Sequence, residues 1–338
     1  MSSTTDVLIF GAGAVGAFYG SRIAQTGTRV SCVCRSNYKA VKENGFSIKS
    51  PQYGNYNWVP DRTFASPDEA VKSNVKWRYV IVSTKALPDV NDDSVLLEGL
   101  IGQDTAIVLI QNGLGVEEPY RRRFTGATIL SAVTIVSAAQ PENGVIAHNR
   151  WTRIHVGPYL PNDSTLHIHE AAIEHNAAFI KLLNDGGVKD ASAYTHAKLQ
   201  LVRWHKIAIN ASMNPSSVLS GGSPNAVMAR DSELYIHLKG VMDEVLVTAP
   251  KVLGTPFPPD FATSEAILDS TRRNASGSRP SMWGDWESDK RMELEVILGN
   301  PIRIAREAGL EMPRLQSLYA LLRMAQENRD ILSKSSKL

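Results

Sequence analysis

The chain has 338 residues, enough for two domains with sizeable cores. Hydrophobic residues make up 43% and charged residues 21%, an ordinary globular balance. The formal net charge of +2 gives no reason to expect a nucleic-acid or membrane partner. No apolar run is long enough to span a bilayer, and the first residues lack the basic and apolar regions of a signal peptide. The two cysteines, Cys32 and Cys34, lie two apart in an expected strand and make a poor disulfide pair, which suits a reducing compartment. The chain ends Ser336-Lys337-Leu338, the address read by the peroxisomal import receptor, so a peroxisomal matrix location is expected in a eukaryote and a cytoplasmic one otherwise.

Val7-Leu-Ile-Phe10 has the continuous apolar character of a buried parallel strand. It runs into Gly11-Ala12-Gly13-Ala14-Val15-Gly16 and then a helix-like segment that Gly27 stops. Arg29 to Cys34 reads as a second strand. A GxGxxG after a strand and before a helix is the dinucleotide turn. Its first glycine allows the turn, its second lets backbone approach a pyrophosphate, and its third lets helix and strand pack closely. At the end of the second strand an NAD site carries a carboxylate for the ribose hydroxyls. This chain has Arg35, either a surface arginine or a bidentate partner for a 2′-phosphate, and the expected cofactor is NADPH.

Trp58-Val59 suggests a short edge strand, and Ser66-Pro67 starts a helix. Tyr79 to Ser83 is another buried strand, with Lys85 at its carboxyl end, where open α/β sheets bind ligands. Pro88 to Leu100 is expected to be helical. Ala106 to Ile110 is a strand that ends in Gln111-Asn112-Gly113, either a plain turn or amides placed for a ligand. The β-rich segments from Thr128 to Val156 are expected at the far edge of the sheet. A helix over Glu170 to Leu183 and a short strand over Val188 to Ala191 follow. From about Tyr194 the pattern becomes helical: Thr195–Met213, Leu234–Leu253, Glu265–Thr271, Arg291–Glu307 and Leu315–Glu327. The expected architecture is an α/β Rossmann-type N-terminal domain, residues 1–192, a C-terminal all-helical domain, residues 193–330, and a tail, residues 331–338.

Within the first of those long helices, Lys206, Asn210 and Asn214 are four apart and share one face, while Ile207, Ala208, Ile209, Ala211 and Met213 make the other faces apolar. Asparagine disfavours helix interiors, and buried amides and ammoniums need partners. The stripe therefore either asks for a polar ligand or consists of a solvated lysine and an asparagine that ends the helix before Pro215. A further cluster runs Ser278-Arg-Pro-Ser281-Met-Trp283-Gly284-Asp285, followed by Glu293 on an expected helix, either a solvated charge or a carboxylate that keeps Lys206 charged. His167, His169 and His175 lie in a polar segment and read as surface histidines, so no metal site is expected.

Taken together, Gly11 to Gly16, Lys85, Gln111-Asn112-Gly113, Lys206 with Asn210 and Asn214-Pro215, and Ser281 with Asp285 and Glu293 resemble the ketopantoate reductase (2-dehydropantoate 2-reductase) family over nearly the whole chain. The resemblance implies NADPH-dependent reduction of 2-dehydropantoate to (R)-pantoate in pantothenate biosynthesis. It implies Gly11, Ala12, Gly13, Ala14, Val15 and Gly16 at the pyrophosphate and Arg35 at the 2′-phosphate. Lys85, Asn112, Ala139 and Glu293 would meet the rest of NADPH. Lys206 would be the proton donor, with Glu293 as a second catalytic residue, and Asn112, Asn210, Asn214 and Ser281 would bind the substrate. Its partners would be a small 2-oxo acid and a second copy of the chain in a homodimer. The chain departs from the family pattern at Ser278, Gly284 and Leu298, and Asn225 matches a family asparagine only in a shifted context. A divergent member reducing another 2-oxo acid or an imine, and a non-catalytic NADP-binding sensor, are the alternative readings.

Overall fold

A computed structural model describes residues 5–160 and 166–335, which divide into two compact units. The first comprises Met1–Lys85, Asp92–Gln111 and Val116–Leu199; the second comprises Ala86–Asn91, Asn112–Gly115 and Gln200–Leu338. The C-terminal tripeptide Ser336-Lys337-Leu338 and the side chain of His167 lie outside the described residues.

The first unit begins with β1 (Asp6–Phe10), α1 (Ala14–Ala24), β2 (Arg29–Val33), α2 (Tyr38–Asn44), β3 (Phe46–Lys49), β4 (Tyr56–Trp58), β5 (Thr63–Phe64), α3 (Pro67–Lys72) and β6 (Tyr79–Val82). It continues through β7 (Ala106–Leu109), α4 (Glu118–Arg123), β8 (Thr128–Glu142), β9 (Val145–Pro158), α5 (Leu166–Asp185) and β10 (Ala191–Ala193). These strands form one ten-stranded sheet in the order β4-β3-β9-β8-β7-β6-β1-β2-β5, with β10 also paired to β9. From β5 to β8 every neighbouring pair is parallel, the doubly wound arrangement in which ligands gather at the strands' carboxyl ends.

The pleat divides each strand between two cores. In β1, Val7 and Ile9 join Phe18, Ile23, Phe179 and Leu183, so α1 and α5 cover that face. Leu8 and Phe10 join Ala70, Trp77, Leu97 and Tyr120 on the other. Cys32 and Cys34 both fall in the first cluster, buried and not joined in a disulfide.

Four expectations for this unit need correction. The hairpin of β8 and β9 lies inside the sheet, because β3 pairs in parallel with β9 and places β4 at the edge. Pro88 to Leu100 is not an α-helix; only Asp93–Leu97 forms a 3₁₀ turn, started by the Asp92 carboxylate, which accepts from Ser94 N–H at 3.0 Å. The last strand is Ala191–Ala193 rather than Val188 to Ala191. His175 is buried, not on the surface, and burial lowers its pKa.

The second unit contains α6 (His196–Leu219, whose first residues belong to the first unit), α7 (Asn225–Arg230), α8 (Ser232–Leu253), α9 (Ser264–Arg272), α10 (Ser281–Glu287), α11 (Asn300–Glu307) and α12 (Pro313–Ser335). A π turn spans Glu295–Gly299. Helix α6 does not stop at Pro215 but continues to Leu219, where Gly222 N–H donates to Ser217 O at 2.7 Å across the positive-φ residue Gly221. Trp204, Ile207, Ala208 and Ala211 make its buried side, and α8 buries Leu238, Val241, Met242, Val245 and Ala249 at helical spacing. Glu293 is not on a helix; it precedes the π turn. No helix among the described residues is long and apolar enough to cross a membrane.

Trp204 is the largest fully buried side chain. Trp204→Ala should destabilise the helical unit by about 3–5 kcal/mol. Urea denaturation followed by far-ultraviolet circular dichroism would measure this, and an unchanged midpoint would contradict the packing described.

Candidate functional site

In the first unit the glycine turn is built by exclusion. Gly11 has φ +95°, and a Cβ there would sit 2.8 Å from Thr84 N. A Cβ on Gly16 would lie 2.3 Å from Ser83 Oγ and 2.7 Å from Gly11 O. At Gly13 a Cβ would meet nothing within 4 Å, so open space begins at the start of α1. Gly13 is the N-cap and offers no side-chain oxygen, and the first turn holds no acidic residue. The amides of Ala14, Val15 and Gly16 therefore lack a side-chain cap at the positive end of a helix dipole, a donor set that fits a pyrophosphate.

Arg35 and Lys85 are exposed, near the carboxyl ends of β2 and β6 respectively. Ala139 is exposed on β8. A residue that sequence reasoning passed over links these pieces. Asn37 is buried, and its Nδ2 donates to Ala12 O at 2.8 Å and to Gln140 Oε1 at 3.2 Å. One amide thus ties the turn after Arg35 to the glycine turn and to the neighbour of Ala139. Its only sequence signal was an asparagine just past a strand end.

The second unit collects the other candidates. Lys206 and Asn210 are partly buried, and Asn214 is buried at 4% exposure, all on α6. The Lys206 ammonium donates to Asn112 Oδ1 at 2.8 Å. Asn112 Nδ2 faces Glu293 Oε2 at 3.4 Å, and Glu293 Oε1 accepts from Ala86 N–H at 3.2 Å. Asn112 therefore joins ammonium to carboxylate. Burial is the main cause that lowers the Lys206 pKa to about 8; the Arg203 cation lowers it further and Glu293 opposes both. An amine that titrates there can give up a proton near neutral pH.

Asn214 Nδ2 has no hydrogen-bond partner among the described residues. A buried amide without one costs about 1–3 kcal/mol, a cost a ligand would relieve. Ser281 is exposed at the first position of α10. Asn225, the weak match, opens α7, and its N–H donates to Ser278 O at 3.0 Å. That bond puts it beside the segment leading to Ser281, and its Oδ1 is also buried without a partner among the described residues.

The arrangement can stabilise negative charge on an oxygen and deliver a proton to it. Comparison with known proteins agrees with this chemistry. The pattern described as ketopantoate reductase PanE/ApbA matches residues 7–161, and that of its C-terminal part matches residues 198–326. An uncharacterized protein of Saccharomyces cerevisiae is 28% identical over 95% of this chain and 93% of its own. The crystal structure of 2-dehydropantoate 2-reductase from Methylococcus capsulatus is 30% identical, with a TM-score of 0.79 over 96% of this chain and 97% of that one. A D-mandelate dehydrogenase solved with NADH and anilino(oxo)acetate shares the fold, at 18% identity and a TM-score of 0.77, over 96% and 99% of the two chains.

The glycine geometry yields a direct test. Gly16→Ala should abolish dinucleotide binding, because the new methyl group displaces Ser83 or the turn itself. Fluorescence titration with NADPH checks this, and an unchanged affinity would remove the turn from the site.

Proposed function

Because the chain belongs to the ketopantoate reductase family, we propose that it reduces 2-dehydropantoate to (R)-pantoate with NADPH, a step of pantothenate biosynthesis. The observation that carries this reading is the Lys206 ammonium, bonded to Asn112 and brought by burial to a pKa of about 8. Bound NADPH would supply a hydride to the 2-oxo carbon. As that carbon becomes tetrahedral, its oxygen gains negative charge, and Lys206 would stabilise the charge and then protonate the oxygen. Asn210 and Asn214 would hold the hydroxyl and carbonyl oxygens of the substrate, and Ser281 its carboxylate. Glu293 would keep Asn112 oriented, so that the amide presents its oxygen to Lys206.

The choice of NADPH over NADH rests on Arg35, an exposed guanidinium where an NAD site carries an acid. A second reading keeps the chemistry and changes the 2-oxo acid. It is favoured by Gly284, exposed where the family pattern has a longer amide side chain. It is favoured too by the D-mandelate dehydrogenase, which carries its own substrate class on this fold. Rates on 2-dehydropantoate and on a panel of 2-oxo acids separate the two.

Lys206→Ala should lower turnover by about 10²–10⁴-fold while NADPH still binds; near-normal turnover would remove Lys206 from the role. The donor works protonated, so the rate of reduction should be full below the Lys206 pKa of about 8 and fall as pH rises through it. Arg35→Ala should weaken NADPH by at least about tenfold, the worth of one charged hydrogen bond, and leave NADH unchanged. Equal losses for both cofactors would contradict a 2′-phosphate contact.

A further inference from the structure

Arg203 is 3% exposed and lies one turn before Lys206 on α6. A buried guanidinium is costly unless held by partners, and its helical neighbours Trp204 and Ile207 are apolar. Its Nη1 donates to Gly113 O at 2.8 Å. Lys206, on the next turn, donates to the side chain of Asn112 at the same 2.8 Å. Two cations on successive turns thus grip two successive residues of one loop.

That loop has little slack. Gly113 has φ +100°, and a Cβ there would lie 2.3 Å from Val296 Cβ. Leu114 N–H donates to Val296 O at 2.8 Å, and Asn300 Nδ2 donates to Leu114 O at 2.7 Å. With Leu114 pinned at both its N–H and its carbonyl, the Arg203 bond fixes the residue that directly follows Asn112.

We propose that Arg203 is a positioning residue for the proton donor: it holds Asn112 against Lys206 through the Gly113 carbonyl, and its guanidinium stands as a fixed cation one helical turn from the ammonium. The inference rests on Lys206 acting as the acid. Charged groups acting on that ammonium include Arg203, from its own helix, and Glu293, from the segment before the π turn. Asn112, from the loop, is neutral, and His205 points to Ala262 O, 2.9 Å away. Arg203 and burial lower the pKa of the ammonium, whereas Glu293 raises it. A neutral side chain at 203 would leave burial alone to oppose Glu293.

The test is the pH dependence of Lys206 acetylation by acetic anhydride in the full chain, read by peptide mass spectrometry. Wild type, Arg203→Gln, Arg203→Met and Arg203→Lys are compared. The wild-type midpoint should be about 8. Both neutral variants should raise it by at least about half a pH unit, and lysine should restore it. Methionine, with no donor for Gly113, should also lower kcat by at least about tenfold, with NADPH affinity kept. An unmoved midpoint in whichever neutral variant folds would overturn the proposal. Labelling needs no substrate, so a wild-type protein that reduces no 2-oxo acid sinks the reductase reading while the midpoint still decides the role of Arg203.

Discussion

The hydrogen bond from the Lys206 ammonium to Asn112 is the constraint on which the site depends. Each partner is costly to bury alone. The amide orients the ammonium, and the carboxylate of Glu293 orients the amide from its other end. The chain supports that bond on both sides. Asn112–Gly115 follows β7 in sequence yet packs as part of the helical unit, fastened at Gly113 and Leu114 by Arg203, Val296 and Asn300. The segment Ala86–Asn91 does the same after β6: Ala86 N–H reaches Glu293, and Asp89 pairs with Arg291. Two loops that follow sheet strands in sequence thus pack as part of the helical unit.

Electrostatics there is a contest that burial decides. With two cations and one carboxylate close together, the cationic excess and poor solvation push in the same direction, against Glu293. The result is an amine that stays mostly protonated at neutral pH and reaches its midpoint at about 8, lower than a solvated lysine or a tight ion pair would give. The π turn after Glu293 fits this picture, since wide turns of that kind are frequent at functional sites.

What local pattern could carry was legible. The continuous apolar strands, the glycine turn and the four-residue stripe on α6 appear where their spacing put them. What depended on distant pairing was not. Nothing local in Phe46–Lys49 says that it will pair with β9 and move the long hairpin inside the sheet. The span Pro88 to Leu100 reads as a helix, but within it the Asp92 side chain takes the Ser94 amide and the helix shrinks to a single tight turn. Asn37 and Arg203 escaped notice for a related reason. Their tasks lie at carbonyl oxygens more than twenty residues away, and sequence spacing does not record such partners.

The two thiols on β2 have a consequence of another kind. Cys32 is fully enclosed and Cys34 is nearly so, and burial pushes the second up to about 12 and the first well above its ordinary value. Peroxides attack the thiolate form, which neither residue supplies. The cysteines of this chain should therefore persist in their reduced state where hydrogen peroxide is produced, and a reductase built on this scaffold could keep turning over in surroundings that inactivate thiol-dependent enzymes.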